Sequence, residues 1–167
     1  MMTGGSPSSA DRLETLLAKV KALAAEYYSL TGKPLGVTGE VAEYVVAKTL
    51  GLELVPPRTH GYDAIRRTAA GDVRIQIKGR AIGPKAKSGE RLGAIKRDAP
   101  CDTVILALLD PATLNPREMW EAPYLAVVER LAVPGSKARN DRGSLAVSDF
   151  KRLARRIWPD PAEVSVE

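Results

Sequence analysis

The segment Arg74-Ile75-Gln76-Ile77-Lys78 alternates polar and apolar residues without a break. Successive side chains of a β-strand face opposite ways, so Ile75 and Ile77 point to one face and Gln76 and Lys78 to the other. A second extended run, residues 62–68, precedes it, and the Ala-Ala-Gly-Asp between them reads as the turn of a β-hairpin. With the turn centred on Ala70 and Gly71, Asp63 falls opposite Lys78, and opposite residues share a face. A carboxylate, an amide oxygen and an ammonium then converge at the end of a two-strand ribbon. Oxygen donors of these kinds suit a hard divalent cation, and an ammonium beside them can stabilise negative charge that develops on a substrate. A one-residue slip in register would break the convergence. A solvated strand face shows the same alternation, so the triplet Gln76-Ile77-Lys78 by itself separates neither reading. Its setting favours a site: Asp63 opens its strand after a turn at Gly61, and Lys78 runs directly into Gly79 and Arg80. The strand is therefore expected to end at the polar pair and open into a basic loop.

The surrounding pattern supplies the elements that would position these groups. Leu13, Leu16, Leu17, Val20, Leu23, Ala24 and Tyr27 recur at helical spacing, with Ser9 as the expected N-cap and Gly32 and Pro34 as the stop. This first helix reads as a packing element. A second helix is expected over residues 38–50, capped by Thr38 and stopped by Gly51. Residues 52–55 form a short strand closed by Pro56 and Pro57. Residues 79–100 are rich in Gly, Lys and Arg and lack apolar periodicity, which predicts a long loop. The run TVILALL at 103–109 is continuously apolar, as in a central strand buried on both faces. A strand at 117–121, a helix at 123–131, a basic loop at 134–143, a short strand at 144–147 and a last basic helix at 148–157 complete the chain. With no repeat and no dividing linker, this order predicts one α/β sandwich over residues 11–160, between a flexible start (1–10) and a short tail (161–167).

An acidic helix residue, an aspartate opening a hairpin and an (E/Q)-x-K triplet on the next strand together resemble the PD-(D/E)XK nuclease superfamily, which includes restriction endonucleases and Holliday-junction resolvases. The matching residues are Gly39-Glu40-Val41-Ala42-Glu43, Gly61-Tyr62-Asp63-Ala64 and Gln76-Ile77-Lys78, in the superfamily's element order over residues 37–109. In similar proteins the helix acid follows a glycine by four residues, which selects Glu43 over Glu40. The resemblance implies a restriction-endonuclease-like core, with a mixed central sheet flanked by helices. It implies a catalytic set of Glu43, Asp63, Gln76 and Lys78. Asp63, Gln76 and Glu43 would hold Mg²⁺ (or Mn²⁺), and Lys78 would stand beside the attacking water. Phosphodiester hydrolysis asks for these types, because a bound metal polarises the phosphoryl oxygen and generates hydroxide from water. The implied activity is metal-dependent endonuclease cleavage of DNA. The alternative is a nuclease fold with an impaired site that binds nucleic acid or a protein partner without cutting. Two positions depart from the pattern: Tyr62 stands where the proline is usual, and Gln76 where the glutamate is, as in branches similar to methyl-directed restriction enzymes. A glutamine offers a neutral oxygen, so Glu43 must supply the second carboxylate, directly or through water. Outside that resemblance, Glu43 with Glu40 also reads as a solvated helix face or as charge favouring the N-terminal dipole.

Charge fits a polyanionic partner. Lys and Arg outnumber Asp and Glu by 25 to 20, a net charge of +5. Arg80, Lys85, Lys87, Arg91, Lys96 and Arg97 follow Lys78 in the long loop and are the expected DNA contacts, and Lys137, Arg139, Arg142, Lys151, Arg152, Arg155 and Arg156 form a second basic group. Either group also reads as an ordinary solvated face. Many folds of this kind cut duplexes as dimers, so the resemblance is compatible with a homodimer, while the sequence leaves the oligomeric state open. One cysteine, Cys101, excludes an internal disulfide and a cysteine zinc cluster, and reads as a core residue. One histidine, His60, excludes a His-rich site; as a lone loop residue it reads as incidental. Trp120 and Trp158 read as packing residues rather than stacking platforms. Neither a signal peptide nor an apolar stretch of membrane-spanning length is present, which predicts a cytoplasmic protein with no membrane partner.

Overall fold

The fold is taken from a computed structural model, which describes residues 8–85, 87 and 89–163. Among the described residues, five helices and six strands follow in the order α1 (Ser9–Thr31), α2 (Thr38–Leu50), β1 (Glu53–Leu54), β2 (Ala64–Thr68), β3 (Gly71–Ala81), β4 (Thr103–Leu109), β5 (Pro116–Pro123), α3 (Tyr124–Ala132), α4 (Lys137–Asn140), α5 (Val147–Leu153) and β6 (Arg155–Trp158). The strands make one sheet in sequence order, β1 to β6. Only β3 and β4 run parallel; the other neighbours are antiparallel. The expected α/β sandwich with a mixed sheet flanked by helices is what the chain forms. Of the stretch expected to be flexible, residues 1–7 lie outside the described part, while Ser9 and Ala10 begin α1. Residues 164–167 of the tail also lie outside it.

The apolar run on β4 is buried from Val104 to Leu109, because it is covered on both faces. On one face Ile105, Ala107 and Leu109 join Ile75, Ile77 and Met119 beneath Val41, Ala42 and Val46 of α2. On the other, Val104, Leu106 and Leu108 pack with Val127 and Leu131 of α3 and Phe150 of α5. A parallel pair needs a crossover, here residues 82–102. The crossover closes over that second face with Leu92, Ile95 and Ala99. Its described residues form no helix, and it is stapled instead: Leu92 N donates to Leu145 O at 2.9 Å, Ile95 N to Gly143 O at 2.9 Å, and the Tyr124 hydroxyl to Lys96 O at 2.5 Å.

Several boundaries differ from expectation. Ser8, not Ser9, caps α1, in a reciprocal box with Asp11. Thr38 is already helical, and α2 has no side-chain cap. The hairpin turns through Ala69 and Ala70 alone, since Thr68 pairs with Gly71. β3 does not end at Lys78 but runs to Ala81, because β4 continues to pair with it as far as Leu109. The strand expected at 144–147 is reduced to an isolated bridge between Arg91 and Ala146, and Val147 already begins α5. The loop at 134–143 contains the single turn α4. The last helix stops at Leu153, and Arg155–Trp158 becomes the edge strand beside β5. Ile157 and Trp158 there pack on the α2 side of the core, a contact that a continued helix would give up.

Gly79 sets how closely α2 approaches the sheet. A Cβ at this position would lie 2.4 Å from Ala42 Cβ and 3.0 Å from Thr38 O. Gly79→Ala therefore forces α2 away from β3, and unfolding by denaturant should show a loss of about 1–3 kcal/mol. An unchanged midpoint would mean that α2 is not pinned there.

Candidate active site

β2 begins at Ala64, opposite Ile75, whereas β3 continues to Ala81. The half of β3 beyond Ile75 therefore has no strand beside it on the β2 side. Asp63 fills the first vacancy: its backbone N donates to Ile75 O at 2.8 Å, and its Oδ2 accepts from Ile77 N at 2.7 Å. The pairing of Ala64 with Ile75 sets Asp63 beside Gln76, not opposite Lys78 as the longer turn predicted. Because the partner changes by two residues, Asp63 keeps the same face as Gln76 and Lys78.

Gly61 makes the approach to this position with φ 88°, and a Cβ there would lie 2.4 Å from Pro100 Cδ. The chain entering Asp63 is thus packed directly against the end of the crossover. Val55 N donates to Asp63 O at 3.1 Å, which ties the same residue to the chain that follows β1. On the other side of Gln76, Cys101 is buried with its Sγ donating to Thr103 O at 2.9 Å. Burial pushes its thiol up to about 11, so it is a neutral wall of the site.

Gln76 is the unusual member. It is only 9% exposed, and its Oε1 is buried without a hydrogen-bond partner. Leaving such an acceptor unsatisfied costs about 1–3 kcal/mol. Its neighbour on the same face, Lys78, is half-buried, with its stem against Gly93 of the crossover.

Glu43 reaches this cluster from the other face. It follows Ala42, the residue that touches Gly79, and is half-buried at the edge of the α2 contact. Its carboxyl is held above its ordinary value, first by burial, then by the negative charges of Asp63 and Glu40, with Lys78 acting against them. Glu43 thus lies within electrostatic reach of Asp63 and Lys78 at the open half of β3, where the register sets Gln76 beside Asp63. Two carboxylates repel each other there, and an amide oxygen has no partner. This donor set fits a hard cation such as Mg²⁺ or Mn²⁺, with water completing its coordination. Among the described residues no three His, Cys, Asp or Glu side chains converge, so two carboxylates are the charge available.

The basic crossover is less free than its composition suggested. Arg80 lies on β3 and pairs with Glu90 at 3.1 Å. Arg91 donates to Ser144 O, and Arg97 donates to Leu131 O at 3.1 Å and Asn140 O at 2.6 Å. These three arginines hold the crossover down, although Arg80 and Arg91 each bury an Nε without a partner. Lys85, Lys87 and Lys96 are exposed. In the second basic group, Lys151 pairs with Glu118 at 2.7 Å and lies 4.8 Å from the Trp120 ring centroid. His60 is exposed, with no hydrogen bond or ion pair among the described residues.

Glu43 binds its proton more tightly folded than unfolded. Its contribution to stability is therefore full below the ordinary glutamate value of 4.5 and is lost as pH rises through the raised one. Glu43→Gln removes that loss. Without divalent cations, the melting temperature of Glu43→Gln relative to the wild type should climb from about pH 4 to about pH 7. Parallel profiles would detach Glu43 from the charge cluster.

Comparison with known proteins adds no family: no protein-family model matches the chain, and no curated protein matches it significantly.

Proposed function

We propose that the chain is a metal-dependent nuclease with a restriction-endonuclease-like core, hydrolysing phosphodiester bonds of DNA at the open half of β3. The observation that carries this reading is the orphaned Gln76 Oε1, buried beside the carboxylate of Asp63. An empty acceptor next to a carboxylate suits a shared cation. Asp63, Gln76 and Glu43 would hold Mg²⁺ or Mn²⁺, which when bound supplies an activated water and charge for the phosphoryl oxygen. Lys78, on the same face as Gln76, would bind the scissile phosphate and stabilise the charge that develops on it. Asp63 keeps its orientation through the Ile77 amide, so it needs no reorganisation on binding. Exposed Lys85, Lys87 and Lys96 would carry the salt-dependent part of DNA binding. None of the described helices is long and apolar enough to cross a membrane, and with a single cysteine the chain suits the cytoplasm.

The second reading is a catalytically impaired module that binds nucleic acid or a protein partner. It draws on the count of two carboxylates, one of them already bonded to Ile77.

The test is cleavage of supercoiled, linear, branched and single-stranded DNA with Mg²⁺, Mn²⁺ or EDTA. Asp63→Asn keeps an acceptor for Ile77 N but removes the charge, and Lys78→Met keeps the stem against Gly93. Each should lower the cleavage rate by at least about 100-fold with little change in melting temperature. Metal-independent binding without cleavage of any substrate would favour the module, and undiminished cleavage by either variant would sink the mechanism.

Gln76→Glu tests the amide separately. If its oxygen is a ligand, the added carboxylate should tighten Mn²⁺ binding by about tenfold or more in calorimetric titration. Equal affinities would remove Gln76 from the ion.

A further inference from the structure

α1 has 23 residues, yet Ala24 is its only buried one. It spans about 35 Å at 1.5 Å per residue. Its inner face, with Leu17, Lys21, Ala24 and Tyr28, leans on the body through the contacts of Glu14 with Lys48 and of Lys21 with Asn115. Beside that face runs a second apolar stripe. Leu13, Leu16, Val20, Leu23, Tyr27 and Leu30 recur at intervals of three and four, the spacing of a two-helix seam. Five of them are widely exposed: Leu13 by 45%, Leu16 by 56%, Leu23 by 60%, Tyr27 by 40% and Leu30 by 79%. Scattered exposed leucines need no explanation, but a continuous row of this length does.

We propose that this stripe is the contact surface of a homodimer, in which α1 packs antiparallel against α1 of a second copy across a two-fold axis. Area and charge both select this occupant. The fractional exposures of those five residues amount to nearly three whole residues per copy, at most about 500 Å², against the roughly 800 Å² per partner that a stable specific interface needs. Antiparallel alignment puts Leu13 against Leu30 of the second copy, Leu16 against Tyr27, and Val20 against Leu23. The residues that flank the seam on the solvent side are then Arg12, Lys19 and Glu26. Lys19 of each copy falls near Glu26 of the other, making two reciprocal pairs of opposite charge. The position facing Arg12 lies beyond Thr31, where the helix ends. Parallel alignment would set Lys19 against Ala24 and Glu26 against Thr31, with no charge pair at all. Neither Lys19 nor Glu26 has a side-chain partner among the described residues, so both are available. A lipid surface fits less well: α1 carries Asp11, Glu14 and Glu26 against Arg12, Lys19 and Lys21, whereas membrane-surface helices are rich in Lys and Arg.

Sedimentation velocity of the full chain over about 1–100 µM decides the matter. The expected mass at the upper end is twice 17.9 kDa. Leu16→Glu with Leu23→Glu should raise the dissociation constant by more than about 100-fold, since charge enters the seam four times per dimer. Both side chains are over half exposed in the single chain, so circular dichroism should show the fold intact. A charge cycle tests the alignment without touching the apolar seam. Lys19→Glu should weaken the dimer by about tenfold, and Lys19→Glu with Glu26→Lys should restore it. A wild-type monomer throughout the range would overturn the proposal, whether or not it co-sediments with phosphatidylcholine–phosphatidylglycerol vesicles; co-sedimentation would assign the stripe to a membrane. A dimer indifferent to the leucine pair, or to the charge cycle, would overturn it equally.

Discussion

A β-strand that outruns its neighbour leaves backbone donors and acceptors with nowhere to go, and in this chain that happens to β3 from Ile77 onward. β2 is short, and the strand it pairs with is eleven residues long. A buried N–H left open costs about as much as a lost hydrogen bond. The Ile77 amide is satisfied by the carboxylate of Asp63, which stands where the backbone oxygen of a continuing strand would otherwise accept. That one bond fixes the aspartate's orientation from the main chain of its neighbour. The same missing strand opens the edge around which α2 on one face and the crossover on the other bring their side chains together. Gly79 and Gly61 are two places where the approach requires the absence of a Cβ. The cluster is therefore a consequence of strand lengths before it is a consequence of side-chain types.

The hairpin face, the buried β4 and the span of α2 were legible in the sequence, because alternation, a continuous apolar run and a Gly stop are local signals. The register was legible only to within its parity. Ala-Ala-Gly-Asp accommodates more than one turn, and Gly71 with its φ of 125° closes the shorter one. Parity was enough for the site, since a shift of two residues returns each side chain to its face. The ends of β3 and of the last helix were hidden for a different reason. Arg80 and Ala81 are strand residues only because β4 lies beside them, and Arg155–Trp158 only because β5 does. Pairing of that kind carries no local mark. Burial at Gln76 was likewise invisible, since an alternating strand reads the same with water or with the crossover over its polar face.

The arginines show why composition misjudged the crossover. A run of Lys and Arg without apolar periodicity reads as a free cationic loop, yet Leu92, Ile95 and Ala99 are buried in the core. A segment that must lie flat without a helix has its own backbone groups to satisfy and also covers carbonyls from other elements. Arg97 reaches the carbonyls of Leu131 and Asn140, and Arg91 that of Ser144. The guanidinium fork suits such work better than an ammonium does. The lysines, with single charges on flexible stems, are left at the surface. Residue type within the basic run thus separates anchoring from availability.

The same electrostatic argument bears on why position 76 carries an amide. Glu43 already holds its proton more tightly than an ordinary glutamate, because of burial and of Asp63 and Glu40 nearby. A third carboxylate at position 76 would be more buried than either of the others and would face Asp63 directly. Its charge would be disfavoured by desolvation and by repulsion together. Gln76 avoids that at the expense of one unpaired oxygen, a smaller penalty than a buried unpaired charge. The chain is spared that added buried charge, while the attraction available to a cation falls by one unit. Under the nuclease reading, weaker attraction for the metal and lower charge repulsion around Asp63 both follow from the amide at position 76.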